Sequence, residues 1–312
     1  MAAITAAMVK ELREMTGAGM MDCKKALGQT DGDMDKAVEY LRENGLAKAA
    51  KKAGRIAAEG LVKTVVSDDD KSAAIVEVNS ETDFVAKNAE FGAYVEEVAA
   101  QALATKAANM DEFMQEAWIA DPASTVEAVL TSKIAVIGEN LKIRRFDKVA
   151  AEDGCVVSYI HGGGKIGVLV SATTSVVNDD VKEALRNVAM QVAALNPKYT
   201  SRDEVDQEYI ASEKEVLTAQ AKIEKPDAND KIIEGMVMGR INKELKEICL
   251  LDQVYVKAED GKQSVANYIK EVSKNVGADI AVKGFIRFET GEGLEKKNED
   301  FAAEVAAQMA GN

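Results

Sequence analysis

Apolar residues recur at three- and four-residue steps through the first fifty positions, the spacing of helices with one buried face. Thr5 is a good N-cap, and Met8, Val9 and Leu12 predict a short helix over Ala6 to Met15 that Gly17 and Gly19 stop. A second starts at Met21, and a third is capped by Asp33, runs through Ala37, Val38 and Leu41 and ends at Gly45. Three short helices form a miniature bundle with a small core, better suited to an interaction than to a catalytic cleft. Met20 and Met21 read either as core fillers of that bundle or as an adaptable contact surface. Lys48, Lys51, Lys52 and Arg55, set among alanines, read as a solvated basic helical linker.

Beyond Glu59 the pattern changes and repeats at an offset of about 94 residues. Glu59-Gly60 matches Asp153-Gly154, the strand Leu61 to Val66 matches Cys155 to Ile160, the turn Ser67 to Ser72 matches His161 to Lys165, and the strand Ala73 to Val78 matches Ile166 to Ser171. A helix closes each copy, Lys87 to Ala104 and Asp179 to Leu195. Two related hairpin-plus-helix subdomains with antiparallel sheets follow, an α+β architecture. Between them lie helical stretches at Met110 to Ala120 and Ser124 to Ile137, then strand-like alternation over Leu141 to Phe146.

Residues 203–248 carry two narrow helical stripes, Val205, Tyr209, Ser212, Val216, Ala219 and Ile223, then Ile233, Val237, Ile241, Leu245 and Ile248, broken by Lys225-Pro226-Asp227-Ala228-Asn229-Asp230. This predicts a projecting helical hairpin that packs on another chain or on its own copy. Gln253 to Val256 and Asp279 to Phe288 read as strands of the second sheet with a helix, Val265 to Val276, between them, and Glu299 to Ala310 as a last helix.

The corner between the strand ending at Val78 and the helix from Lys87 holds Thr82-Asp83-Phe84-Val85-Ala86, a carboxylate beside a large ring. Two readings are open. Asp83 caps the helix and Phe84 staples it to the sheet, or the corner is a recognition tip that delivers one ring and one charge to a partner.

Composition narrows the function. The 312 residues are 47% hydrophobic with three prolines, an ordinary helix-rich chain of roughly two domains by length. A net charge of −14 opposes binding along nucleic-acid phosphates, so no direct nucleic-acid partner is expected. Cys23, Cys155 and Cys249 form neither a disulfide framework nor a zinc site and fit a reducing, cytoplasmic compartment. No stretch approaches the ~20 apolar residues of a membrane span, and the first residues are unlike a signal or transit peptide. Asp31, Asp33 and Asp35 do not make a calcium loop, because Lys36 and Arg42 stand where Gly and Glu are needed. The only histidine, His161, precedes Gly162-Gly163-Gly164; the run is shared with a hydrolase oxyanion turn, but no GxSxG exists, and a tight turn with an exposed imidazole is the better reading. With no P-loop, GxGxxG or nucleophile–base pair, no catalytic, metal-ligating or cofactor-binding residue is assigned, and the chain is read as a binding protein, not an enzyme.

Thr16 to Leu27, the Thr82 to Ala86 corner, Lys133 to Arg145 with its Ile-Gly-Glu-Asn, and Gly284 to Glu289 through Gly291-Glu292-Gly293 resemble, in order, the bacterial elongation factor Ts family. The resemblance implies a guanine-nucleotide exchange factor that binds the GTPase elongation factor Tu, disturbs its magnesium and phosphate site, and lets GTP replace GDP. It implies that Thr82, Asp83, Phe84 and Val85 are the partner-binding, magnesium-displacing residues, with further contacts at Arg13, Met20, Met21, Lys24, His161, Val256 and Met309. It divides the chain into a docking module with basic linker (1–55), a core N-subdomain (56–145), a core C-subdomain (146–202 and 249–294) with an inserted coiled coil (203–248) that serves self-association in some members, and a C-terminal module (295–312). The N-terminal bundle also resembles ubiquitin-associated modules, which keeps open the alternative of a scaffold or chaperone acting through the bundle and the coiled coil.

Overall fold

The computed structural model describes residues 4–295; the helix expected over Glu299 to Ala310, with Met309, lies outside them. The fold is α+β. In chain order the elements are α1 (Ala6–Thr16), α2 (Met20–Gln29), α3 (Met34–Lys52), β1 (Glu59–Val66), β2 (Ser72–Ser80), α4 (Asp83–Ala86), α5 (Ala89–Ala104), α6 (Met110–Gln115), β3 (Ala117–Trp118), β4 (Asp121–Thr125), α7 (Val126–Ile137), β5 (Lys142–Ala150), β6 (Gly154–His161), β7 (Ile166–Thr174), α8 (Asp179–Leu195), α9 (Gln207–Glu224), α10 (Asp230–Ile248), α11 (Val265–Val276) and β8 (Ile280–Glu289). The sheets have strand orders β1-β2-β5, β3-β4 and β6-β7-β8, and the β3-β4 and β6-β7 pairs are antiparallel. Two compact units divide the chain: one comprises the residues up to Lys63, Val76–Phe146 and the residues from Glu289, the other Thr64–Ile75 and Asp147–Phe288.

In the first unit, α1, α2 and α3 pack around Leu12, Cys23, Ala26, Leu27 and Ala37. The Thr5 hydroxyl accepts from the Met8 amide at 3.3 Å and the Asp33 carboxylate from the Lys36 amide at 3.1 Å, the caps expected from side chains that compete for backbone donors. Gly45 does not end α3, which continues to Lys52. The reason is packing: Gly45 faces α7, where a Cβ would stand in ordinary contact 3.5 Å from the Ala135 Cβ, so this turn is held inside a helix–helix contact and does not end the helix. The basic stretch beyond it is also not simply solvated, since Lys48 pairs with Asp22 at 2.9 Å. Phe91, Tyr94, Val95 and Val98 of α5 are buried, with Trp118 6.2 Å from Tyr94 between ring centroids. The helix expected to Ala120 stops at Gln115, because Ala117 and Trp118 turn to pair with Thr125 and Asp121.

The second unit packs β6, β7, α8 and α11 around Val157, Val168, Val170, Leu185, Val188, Leu250 and Tyr255, with Tyr255 stacked on Tyr268 at 4.1 Å. The hairpin α9–α10 has its own seam of Ala221, Ile233, Val237, Ile241 and Leu245. Residues 253–256 are not a strand. Beside one bridge between Val254 and Ser264 and turn bonds at Gln253 and Tyr255, a buried side chain holds the segment: Gln191 donates to the Gln253 side-chain oxygen (3.1 Å) and the Val254 carbonyl (3.0 Å) and accepts from the Val256 amide (2.8 Å). An amide that supplies donor and acceptor replaces a neighbouring strand.

The repeated glycines have a physical cause. A Cβ on Gly60 would stand 2.7 Å from the Asn79 Cα, and one on Gly154 2.8 Å from the Thr173 Cα, each driven also into a carbonyl oxygen of the paired strand. Both hairpins therefore start where two backbones touch without a side chain between them. Gly92, inside α5, meets nothing within 4 Å. Gly154→Ala is expected to destabilise the protein by about 3 kcal/mol or more through forced overpacking, whereas Gly92→Ala should stabilise it by about 0.5–1 kcal/mol; denaturant titration of both variants checks the pair.

Glu77 is fully buried on β2, and its carboxylate accepts from Arg144 Nη1 (3.0 Å), Arg145 Nε (2.6 Å), Asn79 Nδ2 (3.0 Å) and the Gly291 amide (2.8 Å). Arg145 Nη2 reaches the Glu289 carbonyl at 3.2 Å, so one carboxylate ties the chain after β8 to β2 and β5. Burial pushes the Glu77 carboxyl up, but the Gly291 amide, Asn79 and the two guanidiniums outweigh it and hold the group below the usual carboxylate value. A depressed carboxyl contributes stability that is present above the unfolded-state value of about 4.3 and lost as pH falls through the lower native value. Glu77→Gln is expected to cost about 3–5 kcal/mol at neutral pH by removing the buried charge that Arg144 and Arg145 share, with the Glu292 carboxylate 3.2 Å from Arg145 offsetting only part of the loss. That cost should shrink below about pH 4; melting curves from pH 7 to pH 3 that keep a constant gap between parent and variant would contradict the assignment.

Candidate interaction site

The corner is assembled from the end of β2 beyond Val76, a four-residue helix and the segment after α7, all in the first unit. Ser80 Oγ donates to the Thr82 carbonyl at 3.0 Å and turns the chain out of the strand. Thr82, extended at φ −126° and ψ 154°, is the N-cap of α4: its hydroxyl accepts from the Val85 amide at 3.4 Å. Asp83, at the first helical position, does not cap. Its carboxylate pairs with Lys87 Nζ at 2.6 Å, an i to i+4 ion pair that holds the Lys87 ammonium above its usual value. Asn88 caps α5 separately by accepting from the Glu90 amide at 2.7 Å, which splits the helix expected from Lys87.

Phe84 is 82% exposed, so it does not staple the helix to the sheet. Val85, Thr82 and Asp83 are half-buried, and Ala86 is the residue that packs inward. A single turn of helix is far below the length at which helices persist unaided, so something must hold it from behind.

That support is a pair of carboxylates exchanged between two segments. Glu139 Oε2 accepts from the amides of Glu81 and Thr82, both at 3.0 Å, and Glu139 Oε1 accepts from the Thr82 hydroxyl at 2.6 Å. In return, Glu81 Oε1 accepts from the Asn140 amide at 2.6 Å and from Arg55 Nη1 at 3.4 Å, and Asn140 Nδ2 donates to the Arg55 carbonyl at 2.8 Å. Lys52 belongs to the same charge cluster: burial, then Arg55 and Lys48, push its ammonium down against the pull of Glu81 and Glu139. Arg55 reads from the sequence only as part of a solvated linker, and nothing in periodicity or spacing singles out Glu81, Glu139 or Asn140. The available signal was Ile-Gly-Glu-Asn, where Gly138 closes α7 in the left-handed region and places a carboxylate directly after the helix.

The remaining residues named for a partner lie elsewhere. Arg13 on α1 and Lys24 on α2 are exposed, and Met20 and Met21, exposed by 60% and 74%, stand outside the bundle core, which removes the core-filler reading. All four belong to the first unit; His161 and Val256 belong to the second. His161 ends β6, exposed beside the glycine turn, with Nδ1 3.0 Å from the Tyr159 hydroxyl. Val256, 45% exposed, is fixed through its amide by Gln191. Among the described residues no group of three or more His, Cys, Asp or Glu is placed to hold a metal ion, and no helix is long and apolar enough to cross a membrane.

These observations define an α+β protein that presents a ring to solvent from a corner braced by hydrogen bonds. The family profile described as Elongation factor TS matches residues 81–292. The chain is 56% identical over 309 residues to Elongation factor Ts of Clostridioides difficile (strain 630), covering 99% of this chain and 100% of that protein. It is 54% identical over 307 residues to Elongation factor Ts of Clostridium botulinum (strain Eklund 17B / Type B) and to that of Clostridium tetani (strain Massachusetts / E88), covering 98% of this chain and 99% of each relative. The chain belongs to the elongation factor Ts family, and its role is that of a translation elongation factor.

Proposed function

We propose that this protein binds elongation factor Tu carrying GDP and speeds the departure of the nucleotide, so that GTP can enter. The observation that supports the reading most is Phe84, a large ring kept in water at the head of a braced turn in a member of this family. Exposing a phenylalanine forgoes about 1.5–3 kcal/mol of burial, which a partner's apolar slot returns. A GTPase holds its nucleotide through magnesium and backbone amides around the phosphates. A ring wedged beside that site shifts the elements that carry those groups, and the Asp83 carboxylate, released from Lys87, competes for the donors and waters around the metal. No covalent bond is made or broken by the factor. Arg13, Met20, Met21 and Lys24 serve as the docking surface of the bundle, and His161, Val256 and Met309 as further contacts.

Linkage sets the direction of the cycle. Whatever factor weakens GDP when the exchange factor is bound equally weakens the exchange factor when GDP is bound, so the complex is long-lived only without nucleotide. The exposed flanks of the hairpin, Val216, Ile223, Ile232 and Met238, are a surface for self-association.

The test is release of fluorescent GDP from purified elongation factor Tu in excess unlabelled nucleotide. The parent protein should accelerate release strongly, and the Asp83→Ala, Phe84→Ala double variant should do so roughly a hundredfold less well, a loss of about 2.7 kcal/mol at the barrier. Its stability should stay within about 0.5 kcal/mol of the parent, as for other exposed substitutions. No acceleration by the parent would refute the function and favour a scaffold; a variant that melts early as it loses activity would make the corner structural.

A further inference from the structure

We infer that Glu139, whose carboxylate bonds to Glu81 and Thr82, is a positioning residue for nucleotide exchange. It holds the backbone at Glu81 and Thr82 so that Phe84 is presented in one orientation; the inference rests on the exchange reading above. Two observations and the chemistry of a carboxylate carry it. The Glu139 carboxylate grips two consecutive amides and a hydroxyl within 3.0 Å, a geometry that fixes a peptide plane and not merely a distance. The same Thr82 hydroxyl is the cap of α4. A carboxylate can only accept, so Glu139 obliges the hydroxyl to donate to it and leaves the oxygen's lone pairs for the Val85 amide. The capping bond of the turn that carries Phe84 is therefore oriented from α7's end.

The chemistry of the brace supports the assignment. Glu139 and Glu81 would repel if their charges faced each other unaided, but each is spent on the other segment's amides, with Arg55 on Glu81. The Asn140 side chain closes the loop on the Arg55 backbone. A loose corner would leave α4 to unwind between encounters, since a helix this short cannot pay its own nucleation cost. The ring would then have to be ordered during the exchange step itself, which raises the barrier of that step while leaving the docking surface of α1 and α2 intact.

Glu139→Ala should lower the maximal rate of GDP release at saturating factor by roughly tenfold or more, given about a factor of five to ten for each net hydrogen bond of this kind. The concentration giving half-maximal rate should move by less than about threefold, because docking is carried elsewhere. Glu139→Gln, which keeps one acceptor oxygen, should fall between the two. Thr82→Val, isosteric but without the hydroxyl, should resemble Glu139→Gln. Hydrogen exchange of the Glu81 and Thr82 amides in the free protein should quicken in Glu139→Ala and reads the brace independently of any partner. If Glu139→Ala proves too unstable to purify, the Gln and Val variants carry the same comparison. A parent protein that does not accelerate release sinks the exchange reading and Glu139's part in it. A parent that accelerates beside a Glu139→Ala protein of equal maximal rate overturns the Glu139 assignment alone, as do amides whose protection is unchanged. A parallel fall in maximal rate, docking and melting temperature across all three variants would make Glu139 a general structural residue instead.

Discussion

The Glu139 carboxylate, shared between two amides and a hydroxyl of the chain just before α4, is the interaction on which the exposed corner depends. Water competes for every hydrogen bond on a surface turn, and a ring in solvent gains nothing from packing. Order at such a place must come from behind, from groups that are themselves held. Glu139 follows the left-handed Gly138 at the end of α7, and α7 packs on α3 where Gly45 faces Ala135. The chain of constraint therefore runs from a helix–helix contact, through a helix end, to a carboxylate, and only then to the ring.

Buried polar side chains do similar work elsewhere. Glu77 collects two guanidiniums, an amide side chain and the Gly291 amide, and in doing so fixes where the chain leaves β8. Gln191 does for residues 253–256 what a neighbouring strand would do, and leaves Val256 partly in solvent with its backbone satisfied. In each case a single side chain with several acceptors or donors sets the path of an irregular segment. Hydrophobic burial alone gives no such direction, because it is indifferent to the orientation of the backbone.

Much of the element pattern was legible because it follows from local chemistry. Thr5 and Asp33 cap as their side chains predict, α11 occupies the expected residues, and the break at Lys225 to Asp230 separates α9 from α10. The failures came where a distant group decides. Gly45 has the form of a helix terminator, but its partner is Ala135, ninety residues along the chain. Gln253 to Val256 alternate like a strand, yet beyond one bridge at Val254 the group that holds them is one glutamine of α8. Glu77 interrupts an apolar strand, a visible signal of a buried charge, though its arginines could not be named from spacing. At the corner, the exposure of Phe84 could be posed only as one of two readings, since nothing local distinguishes a staple from a tip. Family motifs pointed to the ring and to Ile-Gly-Glu-Asn separately; the structure joins them through three hydrogen bonds.

The central claim is that the Phe84 side chain enters the GTPase when nucleotide leaves. The chain has one tryptophan, Trp118, buried at 4% exposure. A Trp118→Phe, Phe84→Trp protein would carry its only indole at the tip, and its emission reports the polarity around that position. The account predicts a red, water-like emission in the free protein, a blue shift and loss of quencher access on adding nucleotide-free elongation factor Tu, and reversal by GDP, as linkage requires. An emission that stays water-like while the complex demonstrably forms would contradict it.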